Sequence, residues 1–156
     1  MTFDHLKDDL AFMHMALEEA SRATAVAEVP IGAVLVRGGK ILARAHNHRE
    51  AWQDPTAHAE MIVIREAATA IKSWRLIETT LYVTLEPCPM CLGAMILARI
   101  PRLVFGARDP KGGACGSVMD FTNQPRLNHR IDVIGGILET ESRQLLKHFF
   151  KELREE

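Results

Sequence analysis

The sequence has few cysteines and no long apolar run, and each shortage excludes a class of protein. Its three cysteines are an odd number and too few for the disulfide framework of a small secreted domain. The longest apolar runs, such as residues 31–36, are far shorter than the roughly 20 residues that a membrane-spanning helix needs. The first ten residues carry three aspartates and lack the basic start and apolar stretch of a secretory signal. We therefore expect a cytoplasmic protein that is not embedded in a membrane.

The chain also lacks an excess of charge of one sign, since its formal net charge is −1. This balance excludes a uniformly basic nucleic-acid-binding protein but leaves room for a local basic patch. Residues 99–130 form such a patch, with six basic side chains against two acidic ones. Because the 156 residues are 47% hydrophobic and 25% charged, we expect residues 1–156 to form a single domain with an ordinary apolar core.

Apolar spacing predicts the order of the secondary structure elements. A stripe that begins at Leu6 predicts a helix ending near Ala27. The apolar run 31–37, the pair Gly38-Gly39 and residues 40–45 predict a hairpin with a two-residue turn. Three further strands are predicted at 81–85, 103–105 and 131–134. Further helices are predicted to begin near residues 56–58, to begin at Pro87, and to cover the C-terminal residues. A polar loop at 47–55 and a glycine-rich loop at 106–117 complete the prediction.

This order of elements predicts an α/β fold. A hairpin followed by strands that alternate with helices implies a mixed sheet, parallel in its later strands, with helices on its faces. Ligands of such sheets bind beyond the carboxyl ends of the parallel strands, where the loops after Leu85 and Phe105 would lie. We therefore expect the functional residues along that edge of the sheet.

Two of the cysteines form the motif Pro87-Cys88-Pro89-Met90-Cys91. At this composition, chance produces a Pro-Cys-x-x-Cys sequence on the order of 0.003 times per chain, so the motif is specific. Cysteines three positions apart in the first turn of a helix present both sulfurs on one face, as a tetrahedral metal ion requires. The helix N-terminus also favours the thiolate form that binds metal. A redox-active Cys-x-x-Cys pair is the alternative interpretation.

A third metal ligand is predicted at the start of an earlier helix, in His58-Ala59-Glu60. A His-x-Glu sequence carries little information by itself, because chance produces one in about half of such chains. Together, His58, Cys88 and Cys91 would give a zinc ion three protein ligands and leave its fourth position to a water molecule, whose pKa zinc lowers. Glu60 is then close enough to carry protons to and from that water. A glutamate that only stabilises the helix dipole is the alternative.

His-x-Glu followed by Pro-Cys-x-x-Cys is the signature of the zinc-dependent nucleobase deaminases. The sequence resembles one branch of these enzymes more closely, the bacterial tRNA-specific adenosine deaminases of the cytidine/deoxycytidylate deaminase superfamily. The likeness runs from about residue 28 to residue 150 and therefore covers most of the chain. The segments that carry it are 28–36, 54–60, 81–95, 104–111, 128–130 and 149–150.

The resemblance implies a fold, an activity and a partner. It implies a three-layer α-β-α sandwich with a five-stranded mixed sheet, as in the cytidine deaminases, and a homodimer. It implies Zn²⁺-dependent hydrolysis of adenosine to inosine at the wobble position of a tRNA anticodon, with Glu60 moving a proton to N1 of the adenine and then to the departing ammonia. It also assigns residues that bind the anticodon stem-loop: Asn47 at the target base or ribose, Pro30 and Leu85 in its pocket, and Asp109, Lys111 and Phe150 at flanking nucleotides.

Other functions stay open at the level of the sequence. The same metal chemistry and fold would serve a deaminase of free guanine, cytosine or a nucleoside. A zinc-stabilised binding module without turnover would need no chemistry from Glu60. The two enzymes differ in that a small-molecule deaminase has no need of a basic surface.

Individual residues also have plainer interpretations. Asn47 suits the end of a strand, and Arg108 and Lys111 suit a solvated loop. Phe149 and Phe150 are adjacent, so only one of them can face the core; the other would be a stacking surface, an exposed aromatic or a dimer contact. Three further side chains would close the metal site and make it structural if one of them became a fourth ligand, namely Cys115, His46 and His48.

Overall fold

The computed structural model describes residues 2–155 of the chain. None of the helices in this range has the length and apolarity of a membrane span. In chain order the elements are α1 (Thr2–Thr24), β1 (Gly32–Arg37), β2 (Lys40–His46), α2 (Arg49–Trp52), α3 (Ala59–Ile71), β3 (Thr79–Leu85), α4 (Pro89–Leu97), β4 (Arg102–Ala107), β5 (Asp132–Ile134) and α5 (Glu139–Glu155).

The strands form a five-stranded mixed sheet in the order β2-β1-β3-β4-β5. Strand β1 is antiparallel to both β2 and β3, whereas β3, β4 and β5 are parallel. The hairpin turn is made by Gly38 and Gly39, whose φ angles of 58° and 77° are conformations that glycine adopts without strain. The structure thus confirms the predicted sheet and hairpin.

Two apolar layers cover the sheet, one on each face. On one face Met13 and Ala16 of α1 pack with Val34 and Val104 of the sheet. On the other face Val63 of α3 and the apolar side of α4 pack against the opposite side chains of the same strands. Alternate residues of a strand point to opposite faces, which is why the central strands are apolar throughout. The structure confirms the predicted three-layer α-β-α sandwich.

A buried ion pair fastens α1 to the sheet. The Arg102 guanidinium donates two hydrogen bonds to the Asp9 carboxylate, at 2.8 and 2.6 Å, and the Tyr82 hydroxyl donates a third at 2.8 Å. Asp9 is only 2% exposed. Burial opposes its ionised form, but the hydrogen bonds from Arg102 and Tyr82 prevail and lower the pKa of Asp9.

Asp9→Asn is expected to lower the free energy of unfolding by about 2–3 kcal/mol at neutral pH, because it leaves the Arg102 charge without its partner. The loss is smaller than for a fully buried pair, since Arg102 keeps 18% of its side chain exposed. The pKa of Asp9 is lower in the folded protein, so this stabilisation exists above the unfolded value and disappears as the pH falls through the folded one. Urea unfolding at neutral and acidic pH measures it, and equal losses at both would contradict the ion-pair explanation.

The boundaries of several elements differ from those predicted. Helix α1 ends at Thr24, three residues before Ala27. Helix α4 begins at Pro89 rather than Pro87, with Cys88 as its extended N-cap residue (φ −77°, ψ 171°). A residue before proline is disfavoured in the helical region, which explains this start. Within the predicted polar loop 47–55, residues Arg49–Trp52 form the short helix α2.

The register brings the ends of four strands to one edge of the sheet. Leu85 at the end of β3 pairs with Ala107 at the end of β4. Gly32 at the start of β1 pairs with His46 at the end of β2, because these strands run in opposite directions. Helix α4 begins at this edge, directly after β3. The edge predicted to carry the functional residues is therefore assembled from β1, β2, β3 and β4.

Candidate active site

The start of α3 and the start of α4 bring three metal-binding side chains together. Nδ1 of His58 lies 3.7 Å from Sγ of Cys88 and 3.5 Å from Sγ of Cys91. All three ligand atoms lie within 4.8 Å of one another. His58 and Cys88 are the N-cap residues of their helices, and Cys91 follows in the first turn of α4.

This arrangement fits a tetrahedral zinc ion. Zinc bonds of about 2.3 Å to sulfur and about 2.0–2.1 Å to nitrogen give tetrahedral edges of roughly 3.5–3.8 Å. The two nitrogen–sulfur distances are close to such edges. A set of one imidazole and two thiols also has the ligand chemistry that zinc prefers. The three residues could therefore hold a metal ion.

The electrostatics of the cluster favour the metal-binding form at Cys88, whereas His58 and Cys91 hold protons that a metal ion would displace. Hydrogen bonds from Cys91 and then His58 outweigh burial and lower the pKa of Cys88 to about 4. The hydrogen bond to Cys88 raises the pKa of His58, and the contact with Cys88 together with burial raises that of Cys91. The lowered pKa of Cys88 favours its thiolate, which is the form that binds metal.

Glu60 lies beside this cluster, in the first turn of α3. It is 4% exposed, and its carboxyl group contacts the Cys91 thiol. Burial raises the pKa of Glu60 above its ordinary value. A carboxyl group whose pKa is shifted toward neutrality both accepts and releases protons more readily at neutral pH.

Asn47 is buried and belongs to the same assembly. Its Oδ1 accepts a hydrogen bond of 2.8 Å from the backbone N–H of Ala59, the residue between His58 and Glu60. This contact ties the end of β2 to the start of α3. It is a capping role that the sequence did not reveal, and it orients the asparagine side chain toward the metal-binding end of α3.

The side chains that could have closed the metal site lie elsewhere. Cys115, His46 and His48 do not belong to the metal-binding cluster found in residues 2–155. Nδ1 of His46 lies 2.8 Å from the carbonyl oxygen of Asn47, and Nδ1 of His48 lies 2.8 Å from that of His46. The Cys115 thiol is half-buried, and burial raises its pKa to about 12. Within the described residues, the group that could hold a metal ion therefore has three members.

A groove of about 1050 Å³ lies between the loop after β4 and helix α5. Four of the six predicted substrate-binding residues line it, namely Leu85, Asp109, Lys111 and Phe150. Pro30 is buried, and its neighbour Val29 is the residue of that segment that lines the groove. Six basic side chains line the groove: Arg108, Lys111, Arg143, Lys147, Lys151 and Arg154.

Two groove residues have additional structural contacts. Oδ1 of Asp109 accepts hydrogen bonds from the backbone N–H groups of Lys111 and Gly112, at 3.0 and 3.2 Å, so it shapes the turn of its own loop. Phe150 is 41% exposed and packs edge to face on the half-buried Phe149, with ring centroids 5.4 Å apart. The prediction that only one of the two rings faces inward agrees with this geometry.

Two buried glutamates near the site were not predicted. Glu28 accepts hydrogen bonds from the backbone N–H groups of Glu50 and Ala51 and thereby holds α2 in place. Glu86 follows β3 and accepts hydrogen bonds from the loop after β4. Burial disfavours its charge, but hydrogen bonds from Ser117 and from backbone N–H groups lower the pKa of Glu86. A lone acid inside an apolar stretch is the signal that could have identified each of them.

Comparison with known proteins places this geometry among deaminases. The family model of the MafB19-like deaminases matches residues 7–154. A tRNA-specific adenosine deaminase of Bacillus subtilis is 53% identical over 149 residues, which cover 96% of this chain and 92% of that protein. A solved structure from work on A-to-I editing by tRNA:A34 deaminases is 51% identical with a TM-score of 0.84, over 87% of this chain and 99% of that one. A guanine deaminase from Bacillus subtilis is 29% identical with a TM-score of 0.62, over 94% of this chain and 93% of that one.

Proposed function

Because the chain belongs to the MafB19-like deaminases and to the tRNA-specific adenosine deaminases, we propose that it hydrolyses adenosine to inosine at the wobble position, A34, of a tRNA anticodon. The observation that carries this proposal is the cluster of His58, Cys88 and Cys91 beside the buried Glu60. The whole chain, residues 1–156, acts as one deaminase domain.

The metal ion of this enzyme is Zn²⁺, held by His58, Cys88 and Cys91. The distances among the three ligand atoms and their nitrogen and sulfur chemistry support this choice. When bound, zinc supplies the activation of a water molecule as a nucleophile at neutral pH. The protein contributes the positions of its ligands, which two helix starts fix independently of the substrate.

Glu60 carries the protons of the reaction. It takes a proton from the water that attacks C6 of adenine, delivers it to N1, and then passes a proton to the departing amino group, so that adenosine and water give inosine and ammonia. Its burial next to the metal cluster supports this role. Asn47 donates to the base or ribose through its side-chain NH₂ group, since its oxygen is already bonded to Ala59.

The basic groove binds the anticodon stem-loop around the target base. Cations on both walls suit phosphate groups, which position an RNA without reading its sequence. The exposed ring of Phe150 offers a stacking surface for an unpaired base. Leu85 ends β3 and Pro30 lies two residues before β1. These two residues line the pocket of the flipped adenine, with Asp109 and Lys111 at the nucleotides beside it.

A panel of substrates tests this function. Zinc-loaded protein is incubated with purified tRNAs, free adenosine, cytidine and guanine, and the products are analysed by mass spectrometry. We expect a gain of about one dalton at the anticodon adenosine of a tRNA and a rate that falls steeply with ionic strength. Deamination of a free base or nucleoside without any change in tRNA, or a salt-independent rate, would replace the proposal with a small-molecule deaminase.

The active form is a homodimer in the cytoplasm, where its tRNA substrate is found. The dimer is carried over from the resemblance to the tRNA-specific adenosine deaminases, and Trp52, Trp74 and Leu97 are exposed apolar side chains available to such a contact. Sedimentation velocity tests the dimer, which has twice the 17.4 kDa mass of one chain. A monomeric species that turns over tRNA at full rate would contradict it.

A further inference from the structure

Glu86 lies in the segment 86–88 between β3 and α4, and it contacts Asp109, which lines the basic groove. It directly follows β3 and precedes Pro87 and Cys88. It is 2% exposed, although it is neither one of the three metal ligands nor a residue that lines the groove. A buried carboxylate without such a role calls for a different explanation.

Both oxygens of Glu86 are engaged by one loop. Oε1 accepts hydrogen bonds from the backbone N–H of Asp109, at 3.1 Å, and from the Ser117 hydroxyl. Oε2 accepts bonds from the backbone N–H groups of Cys115, at 3.0 Å, and Ser117, at 3.2 Å. The carboxylate thus holds both ends of the segment 109–117.

The middle of the segment is fitted to the same carboxylate. Gly113 is buried, and a methyl group in place of its hydrogen would overlap the Glu86 carboxylate. The next residue, Ala114, donates a backbone hydrogen bond of 2.9 Å to the carbonyl of Pro87. The segment 109–117 is therefore hydrogen-bonded to residues 86 and 87 at its start, middle and end.

We propose that Glu86 is a positioning residue that holds the segment 109–117 in the conformation in which Asp109 and Lys111 line the groove. This inference rests on the proposed function, because the groove is the surface assigned to RNA. Charge-assisted hydrogen bonds from several backbone donors fix a loop more firmly than neutral ones. Glu86 therefore governs the binding of RNA, while the metal ligands and Glu60 govern the chemistry.

Glu86→Gln tests this role. The NH₂ group of glutamine is a hydrogen-bond donor, so it cannot accept the backbone N–H groups that it would face. The variant is expected to keep its zinc and its kcat within about twofold, and to raise KM for an anticodon stem-loop RNA by about tenfold. Amide hydrogen exchange at Cys115 and Ser117 should become at least about tenfold faster. Exchange in α4 should stay unchanged.

Gly113→Ala and Gly112→Ala form a matched pair. An added methyl group at Gly113 pushes on the Glu86 carboxylate, so this variant should reproduce the rise in KM and the faster exchange. At Gly112 the methyl group meets Asp109 Oδ2 at 3.4 Å, which is an ordinary contact, so KM should stay unchanged. The double variant Glu86→Gln/Gly113→Ala should have a KM no higher than that of the worse single variant, because both substitutions disrupt the same contact between Glu86 and the segment.

Three results would overturn the inference. One is an unchanged KM and unchanged exchange in Glu86→Gln. Another is a fall in kcat and zinc content with KM unchanged, which would place Glu86 in the support of the metal ligands. The third is a purely additive double variant. If wild-type protein forms no inosine in any RNA, the proposed function fails, and the exchange measurement alone still decides whether Glu86 holds the segment.

Discussion

Glu60→Gln is expected to lower kcat for inosine formation by about 10²–10⁴-fold while the protein keeps its zinc. Glutamine fills the same space in the first turn of α3, but its amide neither takes a proton from water nor delivers one to the base. The loss should appear in kcat and kcat/KM alike, because proton transfer stabilises only the transition state. Single-turnover kinetics on an anticodon stem-loop, with zinc measured on the same sample, gives both quantities.

Glu60→Gln should lower activity without lowering the free energy of unfolding. In the zinc-free protein burial raises the pKa of Glu60, so any stabilisation from its protonated form is present at low pH and is lost as the pH rises through the folded value. The neutral amide lacks this pH dependence, so the zinc-free variant should be at least as stable as zinc-free wild type at neutral pH. Glu66→Gln, at an exposed position of the same helix, is the control and should change neither property. Activity within about tenfold of wild type would remove Glu60 from the proton path.

The two cysteines of the candidate metal site could be predicted to lie together because their geometry is local. Cys88 and Cys91 are three residues apart at a helix start, a spacing that places two sulfurs on one face whatever the rest of the fold does. The strands could be predicted for a similar reason, since 31–37 and 81–85 are apolar runs bounded by turn residues. The parallel pairing of β3 and β4 then places the loop after β3 next to the loop after β4.

The supporting contacts could not be predicted because they join distant parts of the chain. The bond from Ala59 to Asn47 spans 12 residues, and that from Cys115 to Glu86 spans 29. No local propensity encodes such pairs. Helix α2 was missed because it is only four residues long and is held by Glu28, which lies outside it.

The groove was predictable only in part, for the same reason. The loop residues Asp109 and Lys111 could be singled out by a resemblance in sequence. Their position opposite α5 depends on how the last helix packs on the sheet, and α5 contributes four of the six basic side chains of the groove. Counting charge along the chain identified a basic stretch at 99–130 but not the second wall of this surface.

Cys88→Ala is expected to abolish stoichiometric zinc binding and, with it, deamination. With only two protein ligands left, the affinity for zinc is too low to keep the ion bound. The variant should also unfold more easily in zinc-containing buffer. A metal present at about 1,000 times its Kd stabilises the folded state by about 4 kcal/mol, a contribution that the variant lacks. Zinc analysis and urea unfolding in buffered zinc measure the two losses.

A chelator separates the contribution of the metal from that of the side chain. Removing zinc from the wild-type protein should bring its free energy of unfolding close to that of Cys88→Ala, and the chelator should hardly affect the variant. Cys115→Ala is the matched control, because its thiol lies outside the ligand cluster, and it should keep full zinc and activity. Full zinc content in Cys88→Ala, or loss of zinc in Cys115→Ala, would mean that the ligand set is wrong, and the mechanism built on it would fail as well.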